Sequence, residues 1–412
     1  MSQTQRQQRL RDYLERRQPF YLDLLRQMVE INSFTANPSG VNALGELTAA
    51  AFAGLGFSAS AVQSINPAFG KHLVLSKAGR SGRQIGLISH LDTVYPQAEE
   101  TQNDFAWRQI DNRIYGPGTV DIKGGTVMIY MVLSALREVA PQAYDDISWY
   151  VLLNASEEEL TTDFGELCLR HLTGETLACL VFEGGRLTGD GEFALVVARK
   201  GRAVYRIEVE GKAAHPGSSH KNGANAIVQL AHTIRRVAAL TDYERDLTFN
   251  VGTVAGGTVV NRVPHLAVAS AEMRAFSPAV FEEGISSMLA LNEQTDVLSA
   301  RDRYPCRVSI ELLHRSAPWP RNQASDNLLQ IFQEAGRSLD IPVAAEERGG
   351  LSDGNLLWDH LPTLDGLGPA GGNAHCSERS LNGAKDQEYV LVPSFVPKAL
   401  LNTTAILRLI DN

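Results

Sequence analysis

Three short apolar runs in the first half of the chain each stop at a chemically active side chain. They are QIGLISHLD (84–92), WYVLLNASEEE (149–159) and LACLVFEGG (177–185). Each has the length and content of a buried strand, and each breaks into a histidine or carboxylate followed by a turn. Open α/β sheets present their chemistry at the carboxyl ends of their strands. Strands of this kind would therefore gather His90, Asp92, Glu157, Glu158 and Glu183 along one sheet edge. Helical periodicity fills the gaps between them. Apolar positions recur at helical spacing over about 9–31, 41–54, 124–139 and 165–172, which predicts an α/β domain with a mostly parallel sheet.

From about residue 200 the pattern changes. A strand at 205–210, a helix at 222–240, strands at 247–254 and 267–274, a helix at 278–292 and a strand at 307–313 follow one another. This β-α-β-β-α-β order is that of a ferredoxin-like unit. Helices at about 326–339 and 393–410 come after it, with candidate ligands on both sides. The unit is thus expected to be inserted, with 1–199 and 314–412 forming one discontinuous domain and 200–313 the other.

Two further residues join the set. Asp121 sits in GPGTVDIKGG (116–125), a glycine-rich turn before a helix, and His375 in GPAGGNAHCSE (368–378). Singly, each reads as a turn residue, a cap or a solvated charge. Jointly, two imidazoles and several carboxylates at successive strand ends form a donor set that suits zinc, with Co2+ or Mn2+ as alternatives. A ligating imidazole usually donates its other N–H to a carboxylate or carbonyl, a role open to Asp92 beside His90.

Composition narrows the rest. The 412 residues carry a formal net charge of −9 with no basic tract, which argues against a nucleic-acid or anionic-membrane partner. Cys168, Cys179, Cys306 and Cys376 are scattered and form no C-x-x-C pair, so neither a zinc ribbon nor a disulfide framework is indicated. The polar N-terminal segment contains no apolar signal region, and a cytoplasmic location is the expectation.

The motifs SHLDTV (89–94), GPGTVDIKGG, the Glu157-Glu158 pair, Phe182-Glu183 before glycine, GKAAHPG (211–217), GGTVVNRVP (256–264) and the late His375 together resemble one family. It is that of the dinuclear zinc exopeptidases and deacylases: glutamate carboxypeptidase, acetylornithine deacetylase, succinyl-diaminopimelate desuccinylase and aminoacylase. The resemblance covers the chain from about residue 20. It implies a catalytic domain of zinc-exopeptidase type with the inserted domain serving as dimerisation lid. It also implies two Zn2+, one held by His90, Glu183 and Asp121 and the other by Glu158, His375 and the same bridging Asp121. Glu157 would be the general base, and Asp92 would orient His90. His215 would stabilise the oxyanion from the partner subunit of a homodimer. Asn261, Arg274 and the Gly350 loop would hold the substrate's carboxylate, and a cis peptide would join Asp121 to Ile122. The activity implied is hydrolysis of an amide next to a free carboxylate in a small peptide, with N-acyl-amino-acid deacylation as the alternative. Three positions depart from the family pattern: Ser156, Leu160 and Cys376.

Overall fold

The computed structural model describes residues 2–159, 161–380 and 382–411; Leu160 lies outside them. The chain divides into two compact units, one of residues 2–197, 321–347 and 352–411, the other of 198–320 with 348–351.

The first unit is built on a mixed six-stranded sheet. Its strands run in the order Ser58–Gln63, Lys71–Lys77, Ser148–Asn154, Gln84–His90, Thr176–Val181 and Thr363–Leu364. The last four are mutually parallel, and the first two add an antiparallel edge. Side chains alternate across the sheet, as the two-residue period of a strand requires. Leu73, Leu75, Leu87, Val151, Leu153 and Leu180 enter one core, shared with helices Gln3–Val29, Gly124–Val139 and Phe395–Asp411. Val74, Ile88, Leu152, Cys179 and Val181 enter another, against Phe164, Leu167, Leu357 and Leu361. Both faces are covered, which is why these strands read as continuous apolar runs and not as alternating ones.

Helix Gly124–Val139 is apolar nearly all round because it is packed nearly all round. With the turn before it, the stretch Thr119–Val139 is long and apolar enough to cross a membrane, but 94% of its most apolar window is buried in the fold. Its start is set by glycine. Gly118 takes φ +75°, and a Cβ on Gly125 would lie 2.0 Å from the carbonyl oxygen of Phe182. Only glycine permits that approach, which brings the turn carrying Asp121 against the strand end that carries Glu183.

The second unit is an antiparallel sheet in the order Thr248–Gly256, Leu266–Ala275, Gly201–Glu210, Arg307–Ser316. Helices Ala226–Ala239 and Pro278–Leu289 connect its strands. The ladder runs on to Arg202 opposite Ser316, and Arg199 bridges Trp319, so residues 314–320 go with this unit. So do 348–351: Arg274 donates to the carbonyl of Gly349 (2.9 Å), and Arg199 to those of Gly350 (3.0 Å) and Leu351 (2.9 Å).

Candidate metal centre

In the first unit, His90, Asp121, Glu157, Glu158, Glu183 and His375 come together at the carboxyl ends of adjacent parallel strands. His90 closes its strand directly opposite Asn154, in register. Three overlapping groups present ligand atoms within 4.8 Å of one another: His90, Asp121 and Glu183; His90, Glu157 and Glu158; and Asp121, Glu158 and His375. His90, Asp121 and Glu158 each belong to two of these groups, and Asp121 joins the first to the third. Its Oδ1 lies 3.1 Å from Nε2 of His90, and its Oδ2 lies 3.3 Å from Nε2 of His375. Glu183 reaches to 3.8 Å from the same His90 nitrogen, and Glu158 to 3.2 Å from that of His375. The Asp121–Ile122 peptide is cis.

The neighbours of Asp92 differ in detail from the resemblance. The buried Nδ1 of His90 donates to the main-chain carbonyl of Asp92 at 3.0 Å, while the carboxylate stands 3.5 Å away. That bond leaves Nε2 as the ligating nitrogen once the ring is neutral. The Asp92 carboxylate instead accepts the main-chain N–H of Glu157 (3.1 Å), that of Glu158 (3.2 Å) and the hydroxyl of Thr35 (2.7 Å). It ties one strand end to the next.

The electrostatics of the donor set fit a cation. Burial, opposed in part by His90 and reinforced by Glu158 and Glu183, lifts the Glu157 carboxyl well above its ordinary range. Burial and Asp121 push Glu158 up to about 7. Hydrogen bonds with Asp121 and Glu158 outweigh burial and push His375 up to about 11. Burial resists charge on His90, yet Asp121, Asp92 and Glu183 hold it well above the usual imidazole range. Among the described residues, the buried Oε1 of Glu158 has no hydrogen-bond partner, an expensive arrangement unless a cation takes the lone pair.

The remaining candidates lie in the second unit. His215 is exposed, and its Nδ1 accepts the N–H groups of Gly217 and Ser218, both at 3.1 Å. Those two bonds make Nε2 the N–H of the neutral ring. Asn261 is exposed in the loop after strand Thr248–Gly256. Arg274 is engaged by the Glu272 carboxylate (3.0 and 3.3 Å) and by Gly349. The Gly350 carbonyl faces Arg199. Of the departures, Ser156 is buried, with its N–H on Asn154 Oδ1 (3.0 Å) and its hydroxyl 2.6 Å from that of Thr161. Cys376 is partly exposed beside His375.

Some residues of the site gave no sequence signal. Glu388, fully buried, sits behind Asp121, and Asp353 accepts from Asn154 Nδ2 at 2.8 Å. Burial raises both carboxyls to about 7.

The sequence model of the family described as Peptidase family M20/M25/M40 matches residues 86–390, a span that contains every candidate ligand. Carboxypeptidase G2 of Pseudomonas sp. is 27% identical over 368 residues, covering 87% of this chain and 83% of that protein. Acetylornithine deacetylase of Erwinia tasmaniensis is 26% identical over 340 residues, covering 78% and 84%. Among solved structures, a tripeptidase from Staphylococcus aureus has the same fold, with a TM-score of 0.74 at 20% identity, covering 96% of this chain and 99% of that one. With its family matched over most of its length and that family's ligand types gathered at one sheet edge, the chain belongs to peptidase family M20/M25/M40 and is a hydrolase of the metallopeptidase kind.

Proposed function

We propose that the protein is a two-zinc carboxypeptidase of the glutamate-releasing type, cleaving an amide beside a free carboxylate. The observation that carries this is Asp121, whose two oxygens face two imidazoles at 3.1 and 3.3 Å, so that one carboxylate stands between the two halves of the donor set. His90, Glu183, Asp121, Glu158 and His375 would hold two divalent ions, whose Lewis acidity would assist attack of water on the scissile carbonyl. Glu157 would take a proton from the attacking water and hand it to the leaving amine. Asp92 fixes the tautomer of His90 and anchors the turn bearing Glu157. His215, its Nδ1 already satisfied by main-chain N–H groups, offers Nε2–H to the oxyanion. Asn261, Arg274 and the Gly350 loop receive the substrate's carboxylate. The exposed apolar side chains Ile227, Val228, Val254 and Leu266, on or beside the edge strand Thr248–Gly256, support a homodimer joined through that edge. The likeness to the carboxypeptidase over most of both chains supports the substrate class.

A second reading, N-acyl-amino-acid deacylation, is favoured by one observation: the guanidinium of Arg274 is already paired with Glu272. A panel of dipeptides and acyl-amino acids, assayed with and without a chelator, separates the two. Release of C-terminal glutamate, abolished by chelation and restored by Zn2+, Co2+ or Mn2+, is the expected result. Turnover of acyl-amino acids alone selects the second reading, and turnover indifferent to the chelator overturns both.

A further inference from the structure

Glu388 is a fully buried carboxylate that no step above uses. Burying a carboxylate is costly unless donors surround it. Here they do. Oε1 accepts the main-chain N–H of Val120 at 2.8 Å and of Asp121 at 3.1 Å, with the Thr119 hydroxyl at 3.5 Å. Oε2 accepts the hydroxyl of the buried Tyr95 at 2.7 Å. The N–H groups served belong to no strand ladder; they belong to the candidate bridging ligand and the residue before it. The main chain of Glu388 faces a different ligand. Its N–H donates to the carbonyl of Cys376 at 2.8 Å, next to His375. Gln387 strengthens that second grip, donating to the carbonyls of Ser377 (2.7 Å) and Asn103 (3.0 Å) while accepting from Arg108 (2.9 Å).

We propose that Glu388 is a positioning residue that couples two ligands of one cation. Its side chain fixes the backbone of Asp121, and its main chain fixes the loop of His375. Asp121 and His375 are 254 positions apart in sequence but must hold their ligand atoms to a few tenths of an ångström. One residue bonded to both backbones sets that distance.

The test is Co2+ binding to chelator-stripped protein, followed by calorimetry and by the visible spectrum of the bound ion. Glu388→Ala should weaken binding roughly 10–100-fold, the usual scale for groups that orient ligands, and change the spectrum. Glu388→Gln keeps an acceptor oxygen for both N–H groups, and the Tyr95 hydroxyl can turn to accept from its amide; it should bind within a few-fold of wild type. Glu388→Asp keeps the charge but withdraws the oxygens by one methylene, and should lose affinity as Ala does. If Glu388→Ala does not fold, Glu388→Asp carries the test. Wild-type affinity and spectrum in the folded variant overturn the proposal, whatever its melting temperature. Failure of both variants to fold overturns it too, by assigning the residue to the fold. The inference rests on the metal-centre reading, and the two fail differently: wild-type protein that binds no Co2+ removes that reading, whereas wild type that binds and a variant that binds equally well removes only this one.

Discussion

At the scale of single residues, the proposed roles separate the side chains that would hold metal from the one that would move a proton. Glu157 and Glu158 are sequence neighbours with main-chain N–H groups on the same Asp92 carboxylate, yet they face different partners. Glu158 is within 3.2 Å of His375, while Glu157 groups with His90 and Glu158. Glu157→Gln should therefore keep full metal occupancy while turnover falls by about two to four powers of ten, the range for a missing general acid–base. Metal analysis alongside steady-state kinetics checks it, and near-normal turnover at full occupancy refutes the role. The acid–histidine set was legible because each member follows an apolar run or a glycine turn. Glu388 and Asp353 were not, because a buried carboxylate satisfied by distant main-chain and amide donors leaves no periodicity in the chain.

At the scale of elements, the helix over 124–139 was legible to the residue: its paired glycines and unbroken apolar content mark both its start and its burial. The strand Phe193–Arg199 and the short pairings 108–110, 113–115 and 389–391 went unread, the short ones because three residues carry no period. Also invisible was the tie between strand Lys71–Lys77, helix Asp163–His171 and the turn of Glu157. His72 accepts the N–H of Ala155 on Nδ1 (3.1 Å), so its other nitrogen carries the proton that Asp163 receives at 3.0 Å. Asp163 also accepts the N–H of Ile65 at 2.7 Å. Burial alone would raise the Asp163 carboxyl, but these bonds hold it below its ordinary value. A carboxyl depressed in the folded state adds stability that is present above its unfolded pKa and disappears as pH falls through the folded one. Asp163→Asn should thus be less stable than wild type at neutral pH, and the gap should close below about pH 4. Urea titrations across that range decide it; a gap that stays constant with pH shows that the pair contributes by shape and not by charge.

At the scale of the whole molecule, the β-α-β-β-α-β order and its place between two halves of the other unit were legible from the change of period near residue 200. The return of 348–351 to the second unit was not, since it depends on Arg199 and Arg274 reaching main-chain carbonyls far along the sequence. Under the proposed function the division has a testable consequence. All the candidate metal ligands lie in the first unit, and His215 lies in the second. If the edge strands of two copies pair, His215 can serve the partner's metals, and the active site is complete only in the dimer. Complementation reads this directly. His215→Ala and Glu157→Gln should each be nearly inactive alone. Mixed in equal amounts under conditions that exchange subunits, about half the dimers become mixed. Each mixed dimer then has one intact site of two, built from the sound halves of both chains, and recovered activity approaches about a quarter of wild type. Subunit exchange is followed independently, by mass difference or by a fluorescent label on one parent. A mixture that exchanges yet stays as inactive as its parents assigns His215 to its own chain or to no catalytic role.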